Sequence, residues 1–327
     1  MDNKRKDELG NLFVFNDKYS SREFEKVTIQ ELAFLICTMR VLKEKEILKN
    51  CDYDAKIITF TQVLIKKLKL TKELYIAYDS NTQYPYLDFQ GRAWIFSEKE
   101  YADKAEEHFK AEKIFLQIKE LINKNIINEF GKLHYLGIEK VIIDNGQYNI
   151  EINRNDILTP PDYSNVPARK IPVMNPKLQF AMINFFQYVY SRKDYKNKVE
   201  VIRGLESNML EEVLKAKFLL PIKLENDNIG IDGNGANVVE KGNKVNFTVI
   251  KDKNGLRWLL AFTDCYELDK AFDRGKLRSS ICSFEDILTI SENLEGIVIN
   301  CNGLALRIDE NNRKIIVEFM EKRKINI

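Results

Sequence analysis

Two short words in this chain set a hydroxyl beside carboxylates at the end of an apolar run. Residues 92–102 read RAWIFSEKEYA and residues 256–268 read LRWLLAFTDCYEL. A serine or threonine at the start of a helix can cap its free N–H groups, and an open helix N-terminus can also hold a phosphate. Here Glu98, Glu100, Asp264 and Glu267 crowd that position, and their charge repels an anion. Ser97 and Glu100 have the spacing of a capping box, and Thr263 is the matching cap with Asp264 in the first turn. Phe96 and Phe262 are expected as the last buried residues of a strand. Both words therefore predict a strand-to-helix corner that serves folding.

Other groups with chemical potential lack the neighbours their chemistry needs. The stretch IGIDGNGANVVEKG carries Gly230, Gly233, Gly235 and Gly242, but a dinucleotide loop must open a helix, and the following KVNFTVI is strand-like. A hairpin loop is expected there. His108 falls on a solvated helix and His134 in a loop between Gly131 and Gly137, and neither stands in a G-x-S-x-G or similar nucleophile motif. Cys37, Cys51, Cys265, Cys282 and Cys301 are widely spaced with no C-x2-C pair, so they are expected as buried free thiols of a reducing cytoplasm. No catalytic residue, metal site or cofactor is expected from these patterns.

Aromatic and basic residues mix at two hairpins. Tyr84, Tyr86, Phe89, Arg92 and Trp94 cluster in the first, and Arg257 with Trp258 in the second. Three readings remain open: strand residues packing on helices, a protein interface, or a single-stranded nucleic-acid groove. Tyr84, Tyr86, Arg92, Trp94, Arg257 and Trp258 are the candidate interface residues.

The elements that position these groups follow from punctuation. Five of seven prolines fall between Pro160 and Pro176, which marks residues 159–176 as an extended linker. Residues 1–158 and 177–327 are then two domains, as a chain of 327 residues allows. Thr28 and Glu31 form a capping box before an apolar helical face running to about residue 48, a helical N-terminal extension. TFTQVLIKKLKL is a second helix followed by the strand ELYIAY. PKLQFAMINFFQYVYS, LESNMLEEVLKAK and FLLPIKLE repeat that order in the second half. IEKVIIDNGQYNIEIN (138–153) aligns without a gap to LEGIVINCNGLALRID (294–309), and two D-x-x-G turns precede the two corner words. The fold class expected is α/β (α+β): two related small mixed-sheet domains covered by helices, a tandem duplication of residues 60–158 and 200–318.

Residues 200–318 also resemble the SseB family, named for enhanced serine sensitivity. Pro221, Phe262, Thr263, Asp264, Asn300, Asn302 and Gly303 carry the resemblance. In the first half Ala77 stands in place of the proline and Ser97 in place of the threonine, so that half resembles a divergent copy. The resemblance implies an α/β module with no established catalytic mechanism, often treated as an interaction or accessory domain. With 51 basic and 49 acidic residues the formal charge is +2, which gives no global attraction for nucleic acid or an anionic membrane. The expectation is a non-catalytic cytoplasmic binding or adaptor protein whose partner is another protein, with no nucleic acid and no membrane. Two alternatives stand beside it. One is a hydrolase or transferase with carboxylates meeting between the domains, and the other is an immunity-like or stress-related inhibitor of a single protein.

Overall fold

The structure is a computed structural model, and it describes residues 1–324 apart from 17, 21, 50, 168–169, 225–228, 232–236, 240–244 and 274–277. The chain divides into two compact units. One comprises Met1–His134, Ile138–Pro160 and Tyr190–Asp194, and the other Tyr135–Gly137, Pro161–Val189 and Tyr195–Ile327.

The first unit opens with α1 (Asn3–Leu9), a π-helical turn (Gly10–Val14) and a 3-10 turn (Glu23–Lys26). Lys56, buried on α3 (Tyr53–Leu70), holds this opening segment down. Its ammonium donates to the carbonyls of Phe13, Val14 and Asn16 at 3.2, 2.8 and 3.2 Å. A cation suits these carbonyls, which are left over at the end of the turn. Between the two lies α2 (Ile29–Glu44), whose capping box forms as expected: Glu31 donates its N–H to the Thr28 hydroxyl, and Thr28 its N–H to the Glu31 carboxylate.

The sheet of this unit then follows: β1 (Glu73–Asp79), β2 (Ala93–Phe96), α4 (Lys99–Ala111), β3 (Leu116–Ile122), α5 (Lys124–Tyr135), β4 (Lys140–Ile143), β5 (Ile150–Asn153) and α6 (Arg154–Ile157). Its strand order is β3-β1-β2-β4-β5. Only the β2–β4 pair is parallel, and α4, β3 and α5 make the long crossover that a parallel pair requires.

The second unit runs α7 (Pro176–Tyr190), α8 (Lys198–Lys215), β6 (Lys217–Leu224), β7 (Ile229–Ile231), β8 (Asn237–Val239), β9 (Val245–Phe247), β10 (Val249–Lys251), β11 (Arg257–Ala261), α9 (Cys265–Ala271), β12 (Arg278–Ser283), α10 (Phe284–Ile290), β13 (Gly296–Ile299), β14 (Leu306–Asp309) and α11 (Glu310–Lys324). Strand β12 pairs antiparallel with β6, β11 pairs parallel with β13, and β13 pairs antiparallel with β14. Leu219 of β6 and Phe262, just past β11, exchange backbone bonds of 2.8 and 2.9 Å. Strands β12-β6-β9 form one sheet and β10-β11-β13-β14 another, and the single Leu219–Phe262 bridge joins them, so that β12, β6, β11, β13 and β14 follow one another as β3, β1, β2, β4 and β5 do in the first unit. Residues 1–60, which the sequence pairs with nothing in the second half, also find a parallel: α2 and α3 precede β1 as α7 and α8 precede β6.

Laying the two tryptophans over each other requires one adjustment. Trp94 pairs with Ile142 of β4, whereas Trp258 pairs with Gly296, two residues short of the equivalent Val298. Strand β11 is longer by one pleat. A slip of two residues keeps the side chain on the same face, so both indoles still cover a core cluster. The slip puts the Trp258 ring over Gly296, where a Cβ would stand 2.7 Å from the ring and 2.3 Å from the Ile308 carbonyl. Gly296→Ala is expected to lower stability by about 1–2 kcal/mol and to shift Trp258 emission, measured by urea unfolding followed by fluorescence.

The cysteines depart from expectation. All five are unbridged, but only Cys282 is buried; Cys265 is exposed and the other three are half-buried. Among the described residues no helix is long and apolar enough to cross a membrane.

Candidate functional site

Each strand-to-helix corner is assembled from the end of one strand, the turn after its parallel neighbour and a helix that precedes the sheet, α2 in the first unit and α7 in the second. In the first unit the Asp144 N–H donates to the Ile95 carbonyl at 2.9 Å, which carries the parallel ladder one residue past β4. Asp144 is left-handed, with φ of 54°, a conformation aspartate and asparagine tolerate better than most residues. This aims its carboxylate at the turn after β2. Ser97 donates both its N–H and its hydroxyl to that carboxylate, each at 2.7 Å. Gln30 of α2 adds a longer bond of 3.3 Å, and Gln30 is itself fixed by the Tyr148 backbone through 2.9 and 3.3 Å bonds.

Asp144 is fully shielded from solvent, and burial pushes its carboxyl up to about 6 even though Ser97 pulls it down. A raised carboxyl in a hydroxyl-lined corner is a feature a general acid would share. Both oxygens of this one are bonded to the fold.

The second corner has the same construction and different chemistry. Asn300, with φ of 58°, donates its N–H to the Ala261 carbonyl at 3.0 Å. Its side-chain oxygen accepts the Thr263 N–H at 3.0 Å and its amide donates to the Thr263 hydroxyl at 3.0 Å. Gln179 of α7 takes the place of Gln30, donating to Thr263 at 2.8 Å and to Asp264 at 3.1 Å. An amide therefore occupies the position of the buried carboxylate with the same backbone bond and the same contact to the hydroxyl residue, while the glutamine bonds Thr263 and Asp264 instead of the turn residue.

These contacts correct the expected caps. Ser97 does not cap α4, whose N-cap residue is Glu98 and makes no side-chain cap bond. The cap of α9 is Asp264, which accepts the Glu267 N–H at 2.9 Å; Thr263 faces inward. Both hydroxyls serve the strand end of the corner. Glu267, expected to crowd the helix end, is buried and pairs with Lys270 at 2.7 Å.

The two D-x-x-G turns match each other bond for bond. Asp88 accepts the Gly91 N–H on its carbonyl, and its carboxylate accepts the N–H groups of Gln90 and Arg92. Asp252 does the same with Gly255, Asn254 and Leu256. Gly91 and Gly255 are left-handed at φ of 73° and 80°, the bulge residue of a three-residue hairpin. The second carboxylate oxygen of each aspartate accepts the indole N–H of its own tryptophan, at 3.2 Å for Trp94 and 3.3 Å for Trp258.

The six candidate interface residues do not form one exposed patch. Tyr84 and Tyr86 are buried, and Tyr86 packs edge-on against Trp94 and Phe109. Trp94 and Trp258 are half-buried over their core clusters. Arg92 is folded back onto Asp88 at 2.8 Å and Glu151 at 3.3 Å. Arg257 alone of the six stands exposed. Phe89, at the tip of the first turn, is 83% exposed and is the most open aromatic of either hairpin.

Residues 203–310, from within α8 to the first residue of α11, match the family described as SseB protein N-terminal domain. Over these residues the second unit is similar to an SseB N-terminal domain. The match takes in about a third of the chain, and the first unit lies outside it. No curated protein and no solved structure gave a significant match.

Within the SseB-type domain, Thr263, Asp264 and Asn300 make up the corner just described. Pro221 stands in β6 opposite Ser279, and its carbonyl accepts the Thr248 N–H at 2.9 Å, as Ala77 accepts the Tyr86 N–H in the first unit. Asn302 donates to the Lys270 carbonyl at 2.9 Å and so fastens the loop after β13 to the end of α9. Of the glycine-rich stretch, Gly230 lies in β7, whereas Gly233, Gly235 and Gly242 fall outside the described residues.

The histidines stay apart from both corners. His108 is exposed on α4 and faces Glu112 at 3.6 Å. His134 is in the last turn of α5 rather than in a loop, where burial and the neighbouring Arg154 hold its pKa below the usual value. Among the described residues no group of three or more His, Cys, Asp or Glu side chains is placed to hold a metal ion. Sequence reasoning missed Asp144, Gln30 and Gln179. The gapless alignment did set Asp144 over Asn300, but nothing local says that either reaches a hydroxyl 47 or 37 residues earlier.

Proposed function

We propose that this chain is a non-catalytic binding or adaptor protein made of two copies of one SseB-type building block, acting on another protein in a cytoplasm. One observation carries this reading. The chemically most suggestive position in each unit holds a carboxylate in one copy, Asp144, and an amide in the other, Asn300, with the same backbone conformation and the same hydroxyl partner. Acid–base work would require the titratable form, whereas positioning a turn requires only an acceptor. The shared strand order supports duplication, and the five unbridged cysteines suit a reducing compartment.

The test is cross-linking and affinity purification of the full chain from its native cell, beside a screen for turnover. A partner is expected in stoichiometric amount and is expected to stay bound when Ser97→Ala or Asp144→Asn is introduced. A hydrolase or transferase turnover that either substitution abolishes, in protein that still melts cooperatively, would establish the rival enzyme instead.

A further inference from the structure

The first unit has an apolar groove whose rim is basic. The 3-10 turn and the start of α2 form one wall and the last two turns of α3 the other, enclosing about 710 Å³. Ile29, Val63 and Leu70 supply its apolar surface over the buried Val27, and Leu70 is 70% exposed, more than any other large aliphatic side chain among the described residues. Lys26, Lys66 and Lys67 stand on the rim against a single exposed carboxylate, Glu25. Lys67 donates to the Glu25 carbonyl at 3.1 Å, while Lys26 and Lys66 have no ion-pair partner among the described residues.

We infer that this groove binds an amphipathic segment of a partner protein, helical in the bound form, with aliphatic or aromatic anchors on one face and aspartate or glutamate beside them. The inference rests on the adaptor reading above and names the partner's chemistry. Anchors at i, i+3 and i+4 would fill the floor between two helical walls, a common way to read an amphipathic helix. Two unpartnered lysines select acidic flanks over basic ones and speed encounter at low salt.

Panning a displayed library of random peptides about four helical turns long against the full chain tests this directly. Enriched peptides should carry Leu, Ile or Phe at that spacing with Asp or Glu beside them. Leu70→Glu should weaken their binding about tenfold in an anisotropy assay. The double change Lys26→Glu and Lys66→Glu should weaken it similarly and reduce its salt dependence. All three positions are exposed, and an unchanged thermal melt verifies folding. The inference is overturned by no enrichment, enrichment of basic or uncharged peptides, binding indifferent to both variants, or loss in Leu70→Glu of self-association or phosphatidylserine-vesicle binding in place of peptide binding. A native partner that co-purifies undiminished with both variants would remove the groove and leave the adaptor reading standing.

Discussion

Asp144→Asn is expected to stabilise the first unit at neutral pH and to flatten its pH profile. The folded protein raises this carboxyl from 3.8 to about 6, so the folded state holds the proton more tightly than the unfolded one. The stability this contributes is fully present below about pH 4 and is lost as pH rises through about 6. The shift corresponds to about 3 kcal/mol at pH 7, where the carboxylate is buried as an anion. An asparagine removes that cost, keeps the acceptor for the Ser97 N–H and tolerates the left-handed backbone, as Asn300 shows in the second unit. Its amide cannot accept the 3.3 Å bond from Gln30, which offsets about 1 kcal/mol of the gain. Urea midpoints from pH 4 to pH 7.5, with unchanged slopes, measure the difference: up to about 1 kcal/mol against the variant at the acid end and about 2 kcal/mol in its favour at the other.

Asn300→Ala is expected to cost about 3 kcal/mol at any pH. It leaves the buried Thr263 N–H without its acceptor, about 1–3 kcal/mol, and forces a residue with a Cβ and no local hydrogen bond into a left-handed backbone, about 1 kcal/mol more. A melt followed through Trp258 emission should show the loss in the second unit. Asn300→Asp separates the two roles of the side chain. It keeps an acceptor for Thr263, so at acid pH it should be tolerated, and as pH rises it should acquire the downward slope that Asp144 imposes on the first unit.

How much of this was legible in the sequence depends on the distance a signal must travel. The capping box at Thr28 and Glu31, the D-x-x-G turns and the apolar strands are local patterns, and each forms as its residues dictate. The gapless alignment of sixteen residues sets β4 and β5 over β13 and β14, and both pairs form antiparallel hairpins. The corner words also fall where a strand gives way to a helix. What the hydroxyls bind was not legible, because a serine before a helix looks like a cap whether or not a strand end elsewhere offers it a stronger acceptor. Ser97 turns to an anion at 2.7 Å, and α4 starts with no side-chain cap.

The aromatic hairpins left core packing and an interface both open for a related reason. Tyr86 and Trp94 have the composition of an interface, but composition is the same for a core strand, and only the third dimension shows Phe109 closing over them. The groove beside Leu70 had no sequence signal at all. Val27 and Val63 come together only through the packing of α2 on α3, and the three lysines belong to two separate elements.

The central claim is that the two corners are one structural device written with different letters. The direct measurement is the pH dependence of hydrogen exchange in the reciprocal double variant, Asp144→Asn with Asn300→Asp, compared with the parent chain. Loss of protection between about pH 4 and pH 7 should move from β2 and β4 in the first unit to β11 and β13 in the second, while partner binding is retained. Protection that stays in the first unit, or an exchange of letters that leaves stability untouched and abolishes an activity, would contradict it.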